Sequence, residues 1–359
     1  MIRFPSLHLP PLLRRLLRPV LDPYRRFRNA RLIHAVRVSL GLMASILLTT
    51  GINLPHGEWA SVTMLVVIGG LQHHGNIGKK AAERAYGTLI GASVGLLLVA
   101  QQAWLGLPLL TYLLMSVVCG FFAYHAIGKG GYTALLSAIT VFIVAGHGDN
   151  PISDGLWRTV DILIGIVLAL AFSFALPLYA VYSWRYNLAG ALRDCAVVHA
   201  RIISGQPLGS DEHLQVLSRL NGAIVQLRSL MPSVSKEVNI SQNELEAIQR
   251  NLRMCISMLE TLASIRPDPG DEHDMHLMQS VLEVEHRQIR TQLIGMARAL
   301  RSGSSRRLER AVSTPLAETP RVTPVYSALD GYRMLTQQLA ANIDGMRQRL
   351  AKSVDRWNI

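Results

Sequence analysis

The amino-acid sequence predicts an all-α membrane protein with six transmembrane helices, built as two inverted three-helix repeats and followed by a cytoplasmic helical bundle. Three observations predict it. Six apolar segments fill the first half, that half matches itself at an offset of 74 residues, and the composition changes at Ala180 to that of a soluble helical protein. Half of the 359 residues are hydrophobic and only 17% are charged, the apolar excess being concentrated before Ala180.

The apolar segments run at about 34–53, 57–72, 83–103, 106–126, 130–147 and 157–178. Most approach the roughly 20 residues that cross about 30 Å of hydrocarbon. The second and fifth are the shortest and hold corresponding places in the two repeats, which is where a transporter's binding region is expected. The offset pairs His73 with His147, Asn76 with Asn150, Arg84 with Arg158, and Leu89-Ile90-Gly91 with Leu163-Ile164-Gly165, without a gap. The repeats, about 34–103 and 106–178, each hold three helices. An odd number makes them face opposite ways across the bilayer.

Orientation follows from the basic residues. Residues 1–37 carry nine Arg against one Asp, +8 of the formal net charge of +12. Lys79, Lys80 and Arg84 sit between the second and third segments, and Lys129 between the fourth and fifth. The loops 53–58, 101–108 and 148–157 contain no Lys or Arg, so both termini are placed in the cytoplasm. A pI near 10 with its charge beside the first membrane helix indicates anionic lipid and topology, and argues against nucleic acid. Residues 1–31 form a basic, proline-broken arm, with Leu12–Arg18 suited to the headgroup region and no signal-peptide cleavage pattern.

Beyond the membrane domain (32–180), residues 181–359 show helical stripes. Leu245, Ile248, Leu252, Cys255, Leu259 and Leu262 form one; Leu277, Val281 and Val284, then Leu293, Met296 and Leu300, form others. Tyr332, Leu335, Leu339, Ile343, Met346 and Leu350 form the last. Pro232, Pro267-Asp-Pro269-Gly270 and a linker at about 303–324 punctuate them. Cys119, Cys195 and Cys255 give neither a disulfide framework nor a zinc site. No phosphate loop, metal signature or nucleophile elbow is present, so neither enzyme nor cofactor is expected.

Gly87, Gly91 and Gly95 recur every fourth residue and make a smooth stripe, matched in the second repeat by Gly165. In lipid, helix association relies on the close approach that glycine permits, so these four read as packing positions.

Trp59-x-x-x-Thr63, followed by Arg84-x-x-Gly87-Thr88-x-x-Gly91, resembles the fusaric-acid-resistance-like superfamily. That group includes bacterial aromatic acid exporters and is distantly similar to plant aluminium-activated malate transporters. The resemblance implies an inner-membrane protein with six helices and a helical cytoplasmic region, anionic and often aromatic substrates, and in some members a periplasmic adaptor. Many exporters of the group carry two six-helix units, whereas this sequence has one.

The residues allow two readings each. Arg84 is a snorkelling anchor or a contact for a carboxylate, and Arg158, at the other mouth, is an anion contact more readily than an anchor. Asp161 lies one turn inside Arg158, as its ion-pair partner or as a proton-sensitive group, and Glu58 is a surface carboxylate or a relay. Trp59 is an interfacial residue or an aromatic wall. Thr63, Thr88 and Thr140 line a pathway or bond back to their own helices. His73, His147, Asn76 and Asn150 are matched interfacial polar residues, and no metal set accompanies the histidines. The leading expectation is export of organic anions, aromatic carboxylates first, with the proton gradient as energy source and a homodimer or larger assembly. A passive anion channel and a non-transporting scaffold are the alternatives.

Overall fold

The structure is a computed structural model. It describes residues 22–70, 73–147, 150–204, 211–265, 279–280, 282–304, 308, 327–353 and 357, and these are helical apart from short connections. They divide into two compact units. One is Arg28–Leu178; the other is Tyr179–Ile359 together with the described residues up to Phe27. The expected headgroup segment Leu12–Arg18 and most of the linker 303–324 lie outside the described residues.

Helix α1 (Pro23–Arg28) precedes the membrane unit, which holds α2 (Ala30–Gly51), α3 (Glu58–Ile68), α4 (His74–Leu105), α5 (Pro108–Ile127), α6 (Gly131–Ala145) and α7 (Ile152–Ala175). Four of these, α2, α4, α5 and α7, are long and apolar enough to cross a membrane, and α3 and α6 are shorter apolar helices. At 1.5 Å per residue the 11 residues of α3 and 15 of α6 span about 16 and 22 Å, less than the hydrocarbon core.

Local chemistry explains the ends. α4 stops where Gly106 takes φ +63°, its amide N–H donating to the Gln102 carbonyl. Proline opens α5 at the first helical position, where its missing N–H costs nothing. The sequence reading placed Lys79, Lys80 and Arg84 at or before the third segment's start. They stand instead inside α4, which begins nine residues earlier than expected, at His74. The stretch from His74 to Glu83 holds no proline, and Lys79 and Glu83 form an i,i+4 ion pair at 3.6 Å, so its polarity does not end the helix.

The tightest packing is made by α4 on α6 and by α3 on α7. A Cβ added at Gly91 would lie 2.5 Å from the Ser137 carbonyl oxygen, and one at Gly87 would lie 2.7 Å from the Leu136 Cβ. At Gly95 it would meet Val144 Cβ at 3.0 Å. Gly165 repeats the arrangement on the other pair, with the Ala60 carbonyl oxygen at 2.3 Å and the Thr63 Cβ at 2.9 Å. The stripe is thus a seam between backbones, as its spacing predicts. α2 completes one group with α3 and α7, α5 completes the other with α6, and α4 meets α7 between the groups. The outer faces are apolar: Leu109, Leu113, Val117 and Phe121, at every fourth position of α5, are 58–80% exposed. That surface suits lipid and is unsuited to water.

The second unit contains α8 (Ala180–Ile203), α9 (Asp211–Val238), α10 (Gln242–Ile265), α11 (Glu283–Ser302) and α12 (Ser327–Ser353). The α10 stripe from Leu245 to Leu262 is buried as its spacing predicts, and so are Leu293, Met296 and Leu300 of α11. Val284 is 69% exposed, against expectation, because α11 starts at Glu283 and turns Glu285, His286 and Ile289 inward. Leu277 and Val281 lie outside the described residues. Pro232 does not break its helix: α9 continues through it to Val238. The Glu237 carboxylate accepts the orphan N–H groups of Ala180 and Val181, both at 3.0 Å, and so caps α8. Buried Arg185 donates to the carbonyls of Leu300 and Trp357, beneath the Trp184–Trp357 contact at 4.6 Å.

Candidate functional site

α4 carries Arg84 inward. The guanidinium is 2% exposed, its Nη2 donates a long 3.4 Å bond to Thr63 Oγ1 on α3, and its Nε has no acceptor. No carboxylate pairs with it among the described residues. Tyr132, at the start of α6, stands within electrostatic reach, and Lys80 lies 5.7 Å from the centre of that ring. Thr88, one turn further along α4, is fully buried and its hydroxyl is unsatisfied. A buried cation with one weak bond and spare donors is costly in an apolar setting, so the arrangement favours an anion beside it.

Thr63 is the centre of this region, touching both the Arg84 donor and the Gly165 backbone position. Thr140 packs against Gly91 and donates back to the Leu136 carbonyl at 2.8 Å. Trp59 is half-buried against the apolar cluster of Met64, Val67, Ile162 and Ile166.

Arg158, the sequence mate of Arg84, is placed differently. It is half-buried, and its Nη1 donates at 2.7 Å to the carbonyl of Ile143 in the last turn of α6. Asn150 Nδ2 donates to the next carbonyl, Val144, at 3.2 Å. The two side chains close the C-terminal end of α6. The expected Arg158–Asp161 ion pair is not formed. Asp161 is 0% exposed and neither carboxyl oxygen has a hydrogen-bond partner. Arg158 is drawn instead to a carbonyl that would otherwise be orphaned. Glu58 and His56 are the charged or ionisable groups within electrostatic reach of Asp161. His56 Nε2 lies 3.4 Å from Asp154 Oδ2, and its Nδ1 lies 3.9 Å from Glu58 Oε1. Two polar groups result: His56, Glu58 and Asp154 with Asp161 within electrostatic reach, and Thr63 with Arg84.

His73 is the N-cap residue of α4, its carbonyl receiving the amide of Ile77. His147 stacks edge-on against Phe142 at 5.8 Å. Asn76 is half-buried in the first turn of α4. No hydrogen bond or ring contact joins His73 to His147 or Asn76 to Asn150 among the described residues.

Arg37 was counted with the basic arm, yet it is 1% exposed on α2. Its Nη2 donates to His34 Nδ1 at 2.9 Å, while His34 Nε2 lies 3.2 Å from the Gly69 carbonyl oxygen. The imidazole that fits both contacts is neutral, with its proton on Nε2. The signal was present: Arg37, Gly41, Ser45 and Thr49 fall at every fourth position and all are buried. Tyr132 was also missed, because a single aromatic at a helix start carries no pattern.

The fusaric acid resistance protein family matches residues 31–357. The inner membrane protein YeeA of Escherichia coli (strain K12) is 32% identical over 244 residues, 67% of this chain and 68% of that protein. The p-hydroxybenzoic acid efflux pump subunit AaeB of Pantoea ananatis (strain LMG 20103) is 22% identical over 244 residues, 63% of this chain and 36% of that longer protein. A match that runs through both units, with the buried arginine and the glycine seam in place, makes the chain a member of the fusaric acid resistance protein family.

Proposed function

We propose that the protein is an inner-membrane exporter of organic anions, aromatic carboxylates first, in which Arg84 receives the carboxylate. The observation that carries this is the buried Arg84 guanidinium with an unused Nε donor and no carboxylate partner among the described residues. Thr63 and Thr88 supply hydroxyls beside it, Tyr132 supplies a ring, and the efflux-pump relative exports a compound of this class by its name. A guanidinium grips a carboxylate through two parallel N–H donors.

The six apolar helices act as two inverted repeats with both termini in the cytoplasm, and the protein works as a homodimer or larger assembly, with or without a periplasmic adaptor. Alternating access between the two repeats is carried by two packed groups of helices. Helices α2, α3 and α7 form one body and α4, α5 and α6 the other, each combining helices from both repeats. Arg84 bonds from α4 to α3, and Arg158 bonds from α7 to α6, so each matched arginine bridges the two bodies. Substrate taking the Arg84 donors competes with one bridge and loosens that end. Asp161, with Glu58 and His56 leading to it, carries the proton that couples export to the gradient.

The test is uptake of p-hydroxybenzoate and aliphatic carboxylates into proteoliposomes with and without an imposed proton gradient. Gradient-dependent flux abolished by Arg84→Gln supports the reading, with Asp161→Asn removing the gradient dependence. Flux that ignores the gradient would indicate a passive channel. Flux unchanged in Arg84→Gln would overturn the assignment of that residue.

A further inference from the structure

Far from Arg84 in sequence, the second unit contains a groove of about 610 Å³ between α8 and α11. Its floor is made of small residues, Ala189, Gly190, Ala196 and Ala200 from α8 with Ala297 from α11. Four arginines stand around it: Arg193 on α8, and Arg290, Arg298 and Arg301 on α11. Spacings of eight and three residues put the α11 arginines on one face, so their charges point to a common space. Among the described residues no acidic side chain lines the groove.

The arginines are also free of ion pairs among the described residues, although Asp194 lies within electrostatic reach of Arg193. Elsewhere in this unit Arg219 pairs with Asp194 at 3.6 Å and Arg347 with Asp344 at 2.8 Å, while Arg287 pairs with Glu283. None of the four groove arginines makes an ion pair among the described residues. At one end the wall is aromatic and already assembled. Tyr24 and Phe27 of α1 pack on Tyr186, with centroids 5.4 and 5.1 Å apart, and the Arg301 guanidinium lies 5.5 Å from the centre of the Tyr24 ring. Four like charges gathered around an apolar floor repel one another, and an anion with an apolar body relieves that repulsion while covering the floor.

We propose that this groove is a binding site for an organic anion carrying two or more negative charges on an aromatic or otherwise apolar body. The charges engage the α8 and α11 arginines, and the body lies on the alanine floor toward Tyr24, Phe27 and Tyr186. A soluble aromatic polyanion and the headgroup of an anionic phospholipid share this chemistry. The site does not depend on the transport reading and is separate from Arg84.

The experiment uses the full chain in nanodiscs of neutral phosphatidylcholine, titrated with naphthalene dicarboxylate and followed by calorimetry. In the Arg84→Gln chain, where the proposed transport site is disabled, saturable binding at one site per chain is expected, with naphthalene dimethanol failing to bind. The double variant Arg193→Gln with Arg298→Gln weakens binding by about tenfold or more, as expected when two charge-assisted contacts are lost. Gly190→Trp abolishes it by filling the groove; no atom lies within 4 Å of a Cβ at Gly190, so the side chain enters open space and the fold is kept. Persistence of this binding in the Arg84→Gln chain separates the groove from the transport site. Displacement by a short-chain cardiolipin, whose two phosphates carry two negative charges, identifies lipid as the source of the anion, and absence of displacement identifies a soluble compound. Binding that survives both Gly190→Trp and the arginine double variant, binding of the neutral diol with equal affinity, or no saturable binding at all would overturn the proposal.

Discussion

Replacing the seam glycines by alanine should give a graded loss of stability that follows the distances at each position. A Cβ makes ordinary contact from 3.4 Å outward, and at Gly165 it would lie 2.3 Å from the Ala60 carbonyl oxygen. The backbones of α3 and α7 would have to part by about 1 Å, and overpacking of this kind costs about 1–3 kcal/mol. Gly91→Ala, at 2.5 Å from the Ser137 carbonyl oxygen, should cost nearly as much. Gly95→Ala meets only Val144 side-chain atoms and the Val141 carbonyl at 3.0–3.2 Å and should lose less, because the valine can shift. Gly120→Ala is the control: it lies in α5, nothing lies within 4 Å of its Cβ, and alanine gains about 1 kcal/mol of helix propensity. The assay is thermal unfolding of purified protein in one detergent, each variant measured beside Gly120→Ala. If Gly165→Ala and Gly91→Ala unfold at the same temperature as Gly120→Ala, close backbone packing does not hold this unit together, and the argument from the seam fails.

Three further outcomes follow from the second unit. Arg185→Met leaves the Leu300 and Trp357 carbonyls without their buried donor and should destabilise this unit by about 3 kcal/mol, measured by hydrogen exchange in α8 and α11. Glu237→Gln removes the charge from the α8 cap and should cost about 1 kcal/mol by the same readout. His286 Nδ1 and His199 Nε2 face each other at 3.2 Å, and burial holds the two rings down to pKa values of about 4 and about 3. Their folded values lie below the unfolded 6.5, so the unfolded chain binds more protons, and the stability they contribute is lost as pH falls from about 6.5 toward 4. Thermal unfolding should shift downward between pH 7 and pH 5, and His199→Gln with His286→Gln should flatten that dependence. An unchanged slope in the double variant would place the pH sensitivity elsewhere.

The positions of the six apolar helices were legible because hydrophobic runs and glycine spacing are properties of one segment at a time. Start points were less so: α4 extends nine residues before its apolar run, since a charged stretch on a helix looks like a loop until its i,i+4 pairing is seen. Site residues were legible as types and not as partners. Arg84 and Thr63 were both named, but only the packing of α4 beside α3 joins them. Arg158 and Asp161 were read as a pair because they sit one turn apart, yet a carbonyl at the end of α6, 15 residues back in the chain, takes the arginine. Arg37 was hidden by its neighbours: eight other arginines in the first 37 residues made it look like part of a charged arm.

The packing of α4 on α6 and of α3 on α7 also bears on how the chain is made. As synthesis proceeds, α3 and α4 enter the membrane with their closest partners not yet translated. The glycine stripe of α4 waits for α6, and the Ala60–Thr63 face of α3 waits just over a hundred residues for Gly165. The half-made protein therefore exposes one of its smoothest, most adhesive surfaces until the last membrane helix arrives. A chain interrupted before α7 can close the α4 stripe on α6 but leaves the Ala60–Thr63 face of α3 open, which makes the final helix the step that completes the unit.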